Sequence, residues 1–397
     1  MGEFTEQEWE QIFSEMEANP DLYGLPERVP GSILLASFNI RKLGNPDKRS
    51  AMTWKFLGEA IRNFDIIAVQ ECMDDMDGLL RLMKELEGFK FISSDKTGVF
   101  PGDNGLAERL VFIYRIATVE LGEVISDITY DRSKVSQLIH DNMDSLIEAK
   151  EKYDRALTDY ERKRRRTKPK FDLPIFLSFI RQPFCSSFKA GIGYEDYEPY
   201  CFMAINAHLI FGSKKDRWRE FEALMTWIKG RVENREKMYH PSFILLGDLN
   251  LDFDDPDKDI KKMENLMKKL DVESMKEVHV NFPFLDPHPT ESEHFTSNIR
   301  LSQRYDQIGL FFHDNDGLGK GFPTHKENKS CGQDKQGPDY GVFNFTELFA
   351  KALTGESFSM KSSVKQRVFA RRYEHEVSDH MPIWLRLKLK KRTSSSS

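Results

Sequence analysis

The sequence predicts an α/β or α+β fold with a large share of antiparallel sheet. Short apolar runs typical of buried strands recur along the chain, and helical periodicity separates them only in places. Elsewhere the predicted strands follow one another over short links, which favours antiparallel pairing over a purely parallel, doubly wound sheet. Of the 397 residues 39% are hydrophobic and 30 are phenylalanine, so the chain can fill a large core. The length allows one large domain or two of ordinary size.

The predicted elements begin with a short N-terminal helix, in which apolar residues recur at helical spacing before Pro20. Strands are predicted at ILLASFNI (33–40), DIIAVQE (65–71), ERLVFIYR (108–115), PIFLSFIRQPF (174–184), YCFMAINAHLI (200–210), SFILLGDLN (242–250), RYDQIGLFF (304–312) and HMPIWLRLKL (380–389). Further helices are predicted at 52–62, 79–86, 217–232 and 260–270.

Two segments stand apart from this pattern. Between about residues 133 and 166, apolar residues follow alternating four- and three-residue steps, which predicts one helix of roughly 50 Å. Its end, ERKRRRTKPK (161–170), carries seven basic residues and one acidic residue. Because the whole chain carries a net charge of −6, the other 387 residues carry −12. The second segment, from about 313 to 340, is rich in Gly, Asp, Asn and Lys and predicts a long surface loop.

Composition and charge exclude several classes of protein. The four cysteines lack the spacing of a zinc site and predict reduced thiols rather than a disulfide framework. The acidic, amphipathic N-terminus does not resemble a secretory signal, and no apolar run reaches the roughly 18 residues of a membrane span. We therefore expect a soluble, cytoplasmic protein. The net charge also means that any contact with a polyanion must be local.

Polar residues stand repeatedly at the ends of the apolar strands, where a sequence selected only for its core would not place them. They are Asn39, Glu71, His208, Asp248, Asn250, Asp306, Asp379 and His380. If the strands share one sheet edge, or two packed edges, these side chains converge on one pocket. Carboxylate and amide oxygens without thiols favour Mg²⁺ or Mn²⁺ over zinc. Two histidines beside carboxylates suit acid–base or electrostatic roles in attack on a phosphorus centre.

Each of these motifs also has a purely structural interpretation. GDLN (247–250) alone is typical of a tight turn after a strand, SDH (378–380) alone of a solvated edge, and His208 alone of a semi-buried histidine. Taken singly, each structural interpretation is favoured. Taken together, five strand ends that share one chemistry favour a functional site.

The ordered motifs resemble the endonuclease/exonuclease/phosphatase superfamily. They are FNIR (38–41), QE (70–71), NAHL (206–209), GDLN (247–250), YDQI (305–308) and SDH (378–380). NGLAERLVFIYR (104–115) and FIRQPF (179–184) are similar to the deoxyribonuclease I branch. The resemblance implies an α+β sandwich of two packed, mostly antiparallel sheets flanked by helices, with a long helical insertion.

The same resemblance implies a domain organisation. An N-terminal helix and linker (1–30) would precede the superfamily domain (31–392), and a disordered tail (393–397) would follow it. Two insertions would interrupt the domain, a helical basic arm at about 127–172 and a loop and helix at about 313–368. Residues 162–170 of the arm would contact phosphates of the substrate.

The resemblance also implies three sets of site residues. The catalytic residues would be His208, Asp248, His380, Glu108, Asp306 and Asn250. The ligands of Mg²⁺ or Mn²⁺ would be Glu71, Asn39 and Asp379. Phosphate groups of the substrate would bind Arg41, Arg181 and Asn250, although a surface ion pair is nearly as good an interpretation for the two arginines.

Within the catalytic set, the resemblance pairs each histidine with a carboxylate. His208 would bind Glu108 and His380 would bind Asp306, so that two oriented imidazoles flank the scissile phosphate. Asp248 would hold the attacking water or share a metal ion. The implied activity is metal-dependent hydrolysis of a phosphodiester, with DNA as the substrate. The alternatives are a phospholipid headgroup or another small phosphoester as the substrate, and a non-catalytic binding module with the same fold.

Three departures from the nuclease branch bear on the substrate. Leu106 stands where a tyrosine is usual, and Gln182 follows Arg181 where an acidic residue is usual. The segment after Asn250 has no cysteines for the disulfide of the secreted nucleases. The change at Leu106 removes an aromatic or polar contact to the nucleic acid or moves it elsewhere in the chain.

Overall fold

The computed structural model describes residues 4–97, 107–169, 171–212, 214–251, 258, 261–263, 265–266, 278–285, 295–313 and 340–393. The helices with described bounds are α1 (Glu6–Ala18), α2 (Ala51–Ile61), α3 (Asp77–Met83), α4 (Arg132–Asp141), α5 (Met143–Glu161), α6 (Lys214–Val232), α7 (Phe345–Thr354) and α8 (Ser363–Ala370). The strands are β1 (Ser32–Leu43), β2 (Ile66–Met73), β3 (Phe89–Ser93), β4 (Glu108–Arg115), β5 (Val119–Asp127), β6 (Phe184–Ala190), β7 (Tyr200–His208), β8 (Phe243–Asp248), β9 (Val278–Asn281), β10 (Asp306–His313), β11 (Tyr340–Val342) and β12 (Ile383–Lys388). Short 3₁₀ helices cover Pro20–Tyr23, Pro46–Lys48, Arg235–Lys237 and Pro283–Leu285.

The described strands form two six-stranded sheets that pack face to face. The strand order is β11-β12-β1-β2-β4-β3 in the first sheet and β5-β6-β7-β8-β10-β9 in the second. The pairs β1–β2 and β7–β8 are parallel, and the other described pairs are antiparallel. The predicted sandwich of two mostly antiparallel sheets flanked by helices is therefore confirmed.

The two parallel pairs place the polar strand ends. Helix α2 connects β1 to β2, and helix α6 connects β7 to β8, because parallel neighbours need a crossover between them. Strand β1 packs across β8, and β2 packs against β7. The carboxyl ends of all four strands thus meet at one side of the sandwich, where ligands of open α/β sheets usually bind.

The core between the sheets is rich in aromatic rings, as the composition predicts. Phe112 of the first sheet meets Phe188 of the second edge-to-face, with ring centroids 5.3 Å apart. Helix α1 belongs to the same core, since Trp9 and Ile12 are buried in it. A capping box at Thr5 and Glu8 starts that helix by satisfying two backbone N–H groups.

The prediction of a strand at 174–184 was wrong. Residues 174–183 form no strand, and β6 begins only at Phe184. The backbone N–H of Ile180 donates to the Glu220 carboxylate (2.8 Å) instead of to a neighbouring strand. Pro174 and Pro183 carry no N–H for a sheet ladder. The apolar run therefore crosses the end of the second sheet as a connection.

The prediction of a single long helix between 133 and 166 was also wrong. It is two helices, α4 and α5, interrupted at Asn142, whose φ of −123° lies outside the helical range. The Asn142 side chain bonds the backbone carbonyl of Leu138 (2.9 Å), a local contact that competes with helix continuation. The 19 residues of α5 span about 28 Å.

Several predictions lie wholly or largely outside the described residues. They are the loop interior 314–339, Leu106, the tail after residue 393, and most of the helix predicted at 260–270. Among the described cysteines, Cys72, Cys185 and Cys201 are free thiols, which agrees with the prediction for these three. No helix in the described ranges is both long enough and apolar enough to cross a membrane.

Candidate active site

A strained turn at the end of β2 places the first site residue. The register of β2 shifts against β4 between Val69 and Cys72, and Glu71 within that bulge has a φ of +59°. Residues other than glycine adopt this conformation only when their surroundings hold them in it, and such residues concentrate at functional sites. Here the Glu71 carboxylate accepts a hydrogen bond from the backbone N–H of Lys42 (3.0 Å), which itself has a φ of +45°. The strain therefore turns the Glu71 side chain toward the end of β1.

The register of the second sheet aligns three site residues in one row. His208 of β7 lies beside Asp248 of β8, and Asp306 of β10 lies beside Asp248 on its other side. Residues paired across neighbouring strands project from the same face of the sheet. Gly247 allows this arrangement, because a Cβ atom there would lie 1.9 Å from the backbone oxygen of Ala207.

Two imidazoles converge on one oxygen atom of Asp248. His208 binds Glu108 Oε2 through Nδ1 (3.0 Å), and His380 binds Asp306 Oδ2 through Nδ1 (2.8 Å). The Nε2 atoms of both histidines then lie 3.6 Å from Asp248 Oδ2. The two histidine–carboxylate pairs thus occur as the resemblance implied, and both imidazoles are oriented toward the same point.

The electrostatics of this group favour protonated imidazoles around an ionised carboxylate. Burial opposes the charge on His380, but Asp306 and Asp248 outweigh burial and raise the pKa of His380 to about 10. Burial and the nearby Arg181 would lower the pKa of His208, but Glu108 and Asp248 raise it overall. Burial would raise the pKa of Asp248, yet the two histidines lower it. A negative oxygen therefore lies between two positive rings.

Oxygen atoms next to this group suit a hard divalent cation. Asn39 donates through Nδ2 to Glu71 Oε1 (3.2 Å) and to Asp248 Oδ2 (3.0 Å), which leaves its own Oδ1 buried without a partner. Burial raises the pKa of Asp379, and the nearby negative charge of Glu71 raises it further. An unpaired amide oxygen beside the Glu71 carboxylate is the kind of ligand that Mg²⁺ or Mn²⁺ prefers. Glu71, Asn39 and Asp379 would hold the ion.

A second group of ligand atoms lies alongside. One atom each of Asp248, Asp306 and His380 lies within 4.8 Å of the others. Nδ1 of His380 is already bound to Asp306, however, and the raised pKa of this imidazole opposes metal binding, which needs the neutral ring. The Glu71 group therefore stays the predicted metal site.

Replacing Glu71 by glutamine is expected to weaken Mg²⁺ binding at least about tenfold, because the ion loses a charged ligand. Titration calorimetry without substrate measures this directly. The matched control is Glu374→Gln, since Glu374 lines the same pocket but already pairs with Arg41 (2.8 Å) and Arg300 (3.8 Å). Unchanged affinity in Glu71→Gln, together with lost affinity in Asp306→Asn, would move the metal to the second group.

The two arginines predicted to bind substrate phosphate are held by carboxylates. Nη1 of Arg41 contacts Glu374 (2.8 Å) and Asp379 (3.1 Å), the ion pair that was the other interpretation of this residue. Arg181 is buried, binds Glu108 through Nε, and donates through Nη1 to the carbonyl of Leu209 (3.2 Å). Arg181 nevertheless lines the pocket, so its positive charge faces the place where a substrate would lie.

Asn250 is held in the turn that follows β8. Its φ is +48°, its backbone N–H donates to Asp248 Oδ1 (3.0 Å), and its Nδ2 donates to the carbonyl of Leu209 (2.9 Å). These bonds fix the orientation of the Asp248 carboxylate. A phosphate contact by Asn250 stays a prediction.

An open pocket of about 540 Å³ covers these residues. Its floor holds Glu71, His208, Asp248 and His380, and its walls are formed by two segments. One wall includes Phe211, whose side chain is 72% exposed at the rim. The other wall, residues 298–305, is tied to the His380 segment by a bridge between Asn298 and His380. A substrate larger than a phosphate ion can therefore reach the floor.

Comparison with solved structures returns proteins of one fold. An endonuclease/exonuclease/phosphatase family protein from Bacteroides thetaiotaomicron aligns over 91% of this chain and 96% of its own, with 13% identity and a TM-score of 0.42. A mannosyl-6-phosphatase of the same organism aligns over 89% and 99%, with 13% identity and a TM-score of 0.45. The catalytic domain of human Nocturnin with bound sulfate aligns over 92% and 97%, with 12% identity and a TM-score of 0.45.

The sequence itself matches no protein-family profile and no curated protein. The two six-stranded sheets and the ordered residues at their shared edge agree with the resemblance seen in the sequence. The chain has the α+β sandwich of two packed sheets that this resemblance implied. At such identities and TM-scores the likeness carries no conclusion about the activity of this chain.

Sequence reasoning missed a polar contact that ties the two sheets of the sandwich together. Asn206 of β7 is fully buried, and its Nδ2 donates to the carbonyls of Val69 (3.0 Å) and Val111 (2.9 Å) in the first sheet. Its Oδ1 accepts from Gln70 Nε2 (2.8 Å). The motif NAHL could have indicated this contact, because Asn206 is two residues before His208 and projects from the same face of β7.

Sequence reasoning also gave no role to Ser378, although it precedes the predicted pair Asp379 and His380. The buried Ser378 hydroxyl donates to the carbonyl of Asn39 (2.6 Å). The same oxygen accepts from the backbone N–H groups of Arg41 (3.2 Å) and His380 (3.1 Å). Ser378 thereby holds the end of β1 against the segment that carries His380.

Glu220 of α6 is a third missed residue, and nothing in the local sequence distinguishes it. Its two carboxylate oxygens accept from the backbone N–H groups of Ile180 (2.8 Å) and Ile210 (2.7 Å). Burial raises its pKa, and the two backbone bonds partly offset this effect. The two anchored segments carry Arg181 and Phe211, so Glu220 sets the position of one pocket wall.

Proposed function

We propose that this protein is a divalent-metal-dependent phosphodiester hydrolase and that its substrate is DNA. The observation that carries the proposal is the convergence of two carboxylate-oriented imidazoles on Asp248 at the floor of an open pocket. Each imidazole already pairs with a carboxylate of its own, and both are still directed at one oxygen of Asp248. Such an arrangement suits a reaction in which negative charge develops on phosphoryl oxygens.

The proposed reaction is in-line attack of water on the phosphorus. The Asp248 carboxylate holds the water and accepts its proton, so that a P–O bond forms to the water oxygen as the P–O bond to the leaving group breaks. The imidazolium groups of His208 and His380 stabilise the charge on the phosphoryl oxygens, and one of them protonates the leaving oxygen. A divalent cation on Glu71, Asn39 and Asp379 would supply further positive charge to the phosphoryl group.

Three features support nucleic acid as the substrate class. Arg181 and Arg300 line the pocket and carry positive charge toward it. The exposed ring of Phe211 at the rim offers a face on which a nucleobase can stack. This ring would supply the aromatic contact that Leu106 cannot make. The exposed basic residues 162–166 offer further phosphate contacts.

The test compares three substrates in the presence of Mg²⁺ or of EDTA: plasmid DNA, RNA and sphingomyelin vesicles. Nicking of the plasmid that needs Mg²⁺ and falls at least about 10³-fold in His208→Ala supports the proposal. His240→Ala is the matched control, because His240 lies outside the pocket lining and is only half-buried. Activity on sphingomyelin alone would replace DNA by a phospholipid headgroup, and inactivity on all three would favour a binding module.

Replacing Arg164, Arg165 and Arg166 by serine is expected to flatten the salt dependence of DNA cleavage. Each lost phosphate contact lowers the slope of log affinity against log salt by about 0.9, so we expect a change of about one to three. The slope of log KM between about 50 and 200 mM salt measures the effect. The control variant replaces Lys390, Lys391 and Arg392 by serine and removes the same charge elsewhere. An equal slope in both variants would exclude residues 164–166 from DNA binding.

A further inference from the structure

Helix α8 and Met360, which lies in the turn just before it, present an apolar ridge to solvent. Met360 is 83% exposed, and Val364 and Val368 are each 59% exposed. Val364 and Val368 are four residues apart and so lie on one side of the helix, and Met360 is exposed in the turn that precedes it. The opposite side is firmly packed, since Phe369 lies against Phe358 and Tyr373 in the core around α7. The ridge is therefore a stable feature of the surface.

Positive charge surrounds the ridge. Residues 360–372 contain five basic residues and no acidic residue. Two of the five are neutralised locally, because Lys361 pairs with Glu356 and Arg372 pairs with Glu8. The other three are Lys365, Arg367 and Arg371, which are exposed. Arg371 follows Val368 by three residues and so continues the line of the ridge.

Another exposed apolar pair in the chain lacks this charge. On α5, Met143 is 46% exposed and Ile147 is 51% exposed. Helix α5 contains six acidic and three basic residues, however, so its surface is net negative. Apolar exposure and positive charge coincide at α8 and not at α5.

We propose that this α8 surface binds an anionic lipid bilayer. Met360, Val364 and Val368 would enter the boundary between headgroups and acyl chains, while Lys365 and Arg367 would meet the anionic headgroups. Apolar side chains with flanking cations are the usual composition of segments that bind such interfaces.

The composition of the ridge favours a bilayer over other partners. Aliphatic side chains offer no π face for a nucleobase, so nucleic acid would leave the ridge exposed. A second copy of the chain, docked symmetrically, would bring two sets of cations into contact and be repelled. A bilayer with anionic headgroups satisfies both parts of the surface.

The surface is close in the chain to a residue of the active-site pocket. Glu374, which lines the pocket, follows Val368 by only six residues. A protein bound through α8 would therefore hold this residue close to the membrane. The inference does not depend on the identity of the substrate, because binding is measured without turnover.

The experiment is co-sedimentation with vesicles of phosphatidylcholine alone and of phosphatidylcholine mixed with phosphatidylserine. We expect binding to the mixed vesicles, little to the neutral ones, and release at high salt. Val364→Ser/Val368→Ser is expected to weaken partitioning about tenfold. Lys365→Gln/Arg367→Gln/Arg371→Gln is expected to weaken it roughly a hundredfold. All replaced side chains are exposed, so circular dichroism should show an unchanged fold.

The matched control is Met143→Ser/Ile147→Ser on α5, which should bind vesicles like the unmodified protein. Both α8 variants should keep their rate on a short soluble phosphodiester, so lost vesicle binding cannot be confused with failure of the proposed catalytic site. Equal binding to neutral and anionic vesicles, or none to either, would overturn the inference. A concentration-dependent dimer that Val364→Ser/Val368→Ser abolishes would overturn it in favour of a second copy.

Discussion

Asp248→Asn is expected to lower kcat by about 10³- to 10⁴-fold while leaving KM within a few-fold of its original value. The amide has nearly the size of the carboxylate but neither its negative charge nor its capacity to accept a proton. Both Nε2 atoms of His208 and His380 lie 3.6 Å from the oxygen that changes. Initial rates on a phosphodiester substrate at saturating Mg²⁺ measure the effect.

The control for this prediction is another buried carboxylate changed in the same way. Glu376 is 5% exposed and accepts a hydrogen bond from the Thr53 hydroxyl (2.6 Å), but it is not part of the pocket lining. Glu376→Gln should therefore retain a kcat within about tenfold of the original. If folded Asp248→Asn is as active as this control, Asp248 does not act on the reacting water, and the proposed mechanism is wrong.

Gly247→Ala is expected to lower the free energy of unfolding by about 3 kcal/mol or more. The added Cβ would lie 1.9 Å from the backbone oxygen of Ala207, in the neighbouring parallel strand. Backbone atoms cannot move aside as a flexible side chain can, so β7 and β8 must separate. That separation also disturbs the row of His208 and Asp248, and activity should fall together with stability. Urea denaturation measures the change.

Gly230→Ala is the matched control. Gly230 lies within α6, and a Cβ atom there would meet nothing within 4 Å. Alanine is favoured over glycine within a helix, so the variant should be more stable by about 0.5–1 kcal/mol. A Gly247→Ala protein as stable as the Gly230→Ala protein would show that the two strands tolerate a wider separation than the structure has.

The residues of the candidate site were predictable from sequence because most of them stand at one end of an apolar strand. Asp248 and Asn250 follow FILLG, and His208 follows FMAINA, so local hydrophobicity marks both the strand and the point where it stops. The same criterion failed at 174–184, which is as apolar as a strand. There the decisive contact comes from Glu220, a residue of another element, and the run itself carries no sign of it.

Helical periodicity reached a similar limit in the insertion. It indicated helix correctly over most of 133–161, because the apolar spacing is a local property. The break at Asn142 depends on one side-chain hydrogen bond, a difference too small to appear in a periodic pattern. The regular apolar spacing does not mean burial here, because neither α4 nor α5 contains a buried residue.

The sequence by itself determined which chemical groups this protein can bring to a reaction: carboxylates, amides and two histidines at strand ends, with cations in two exposed segments. Only the tertiary structure decided their arrangement. The row of His208, Asp248 and Asp306 depends on strand register, and the bonds of Asn206 depend on how one sheet lies over the other. Both are set by contacts between residues far apart in the chain, and no local pattern of residues records such contacts.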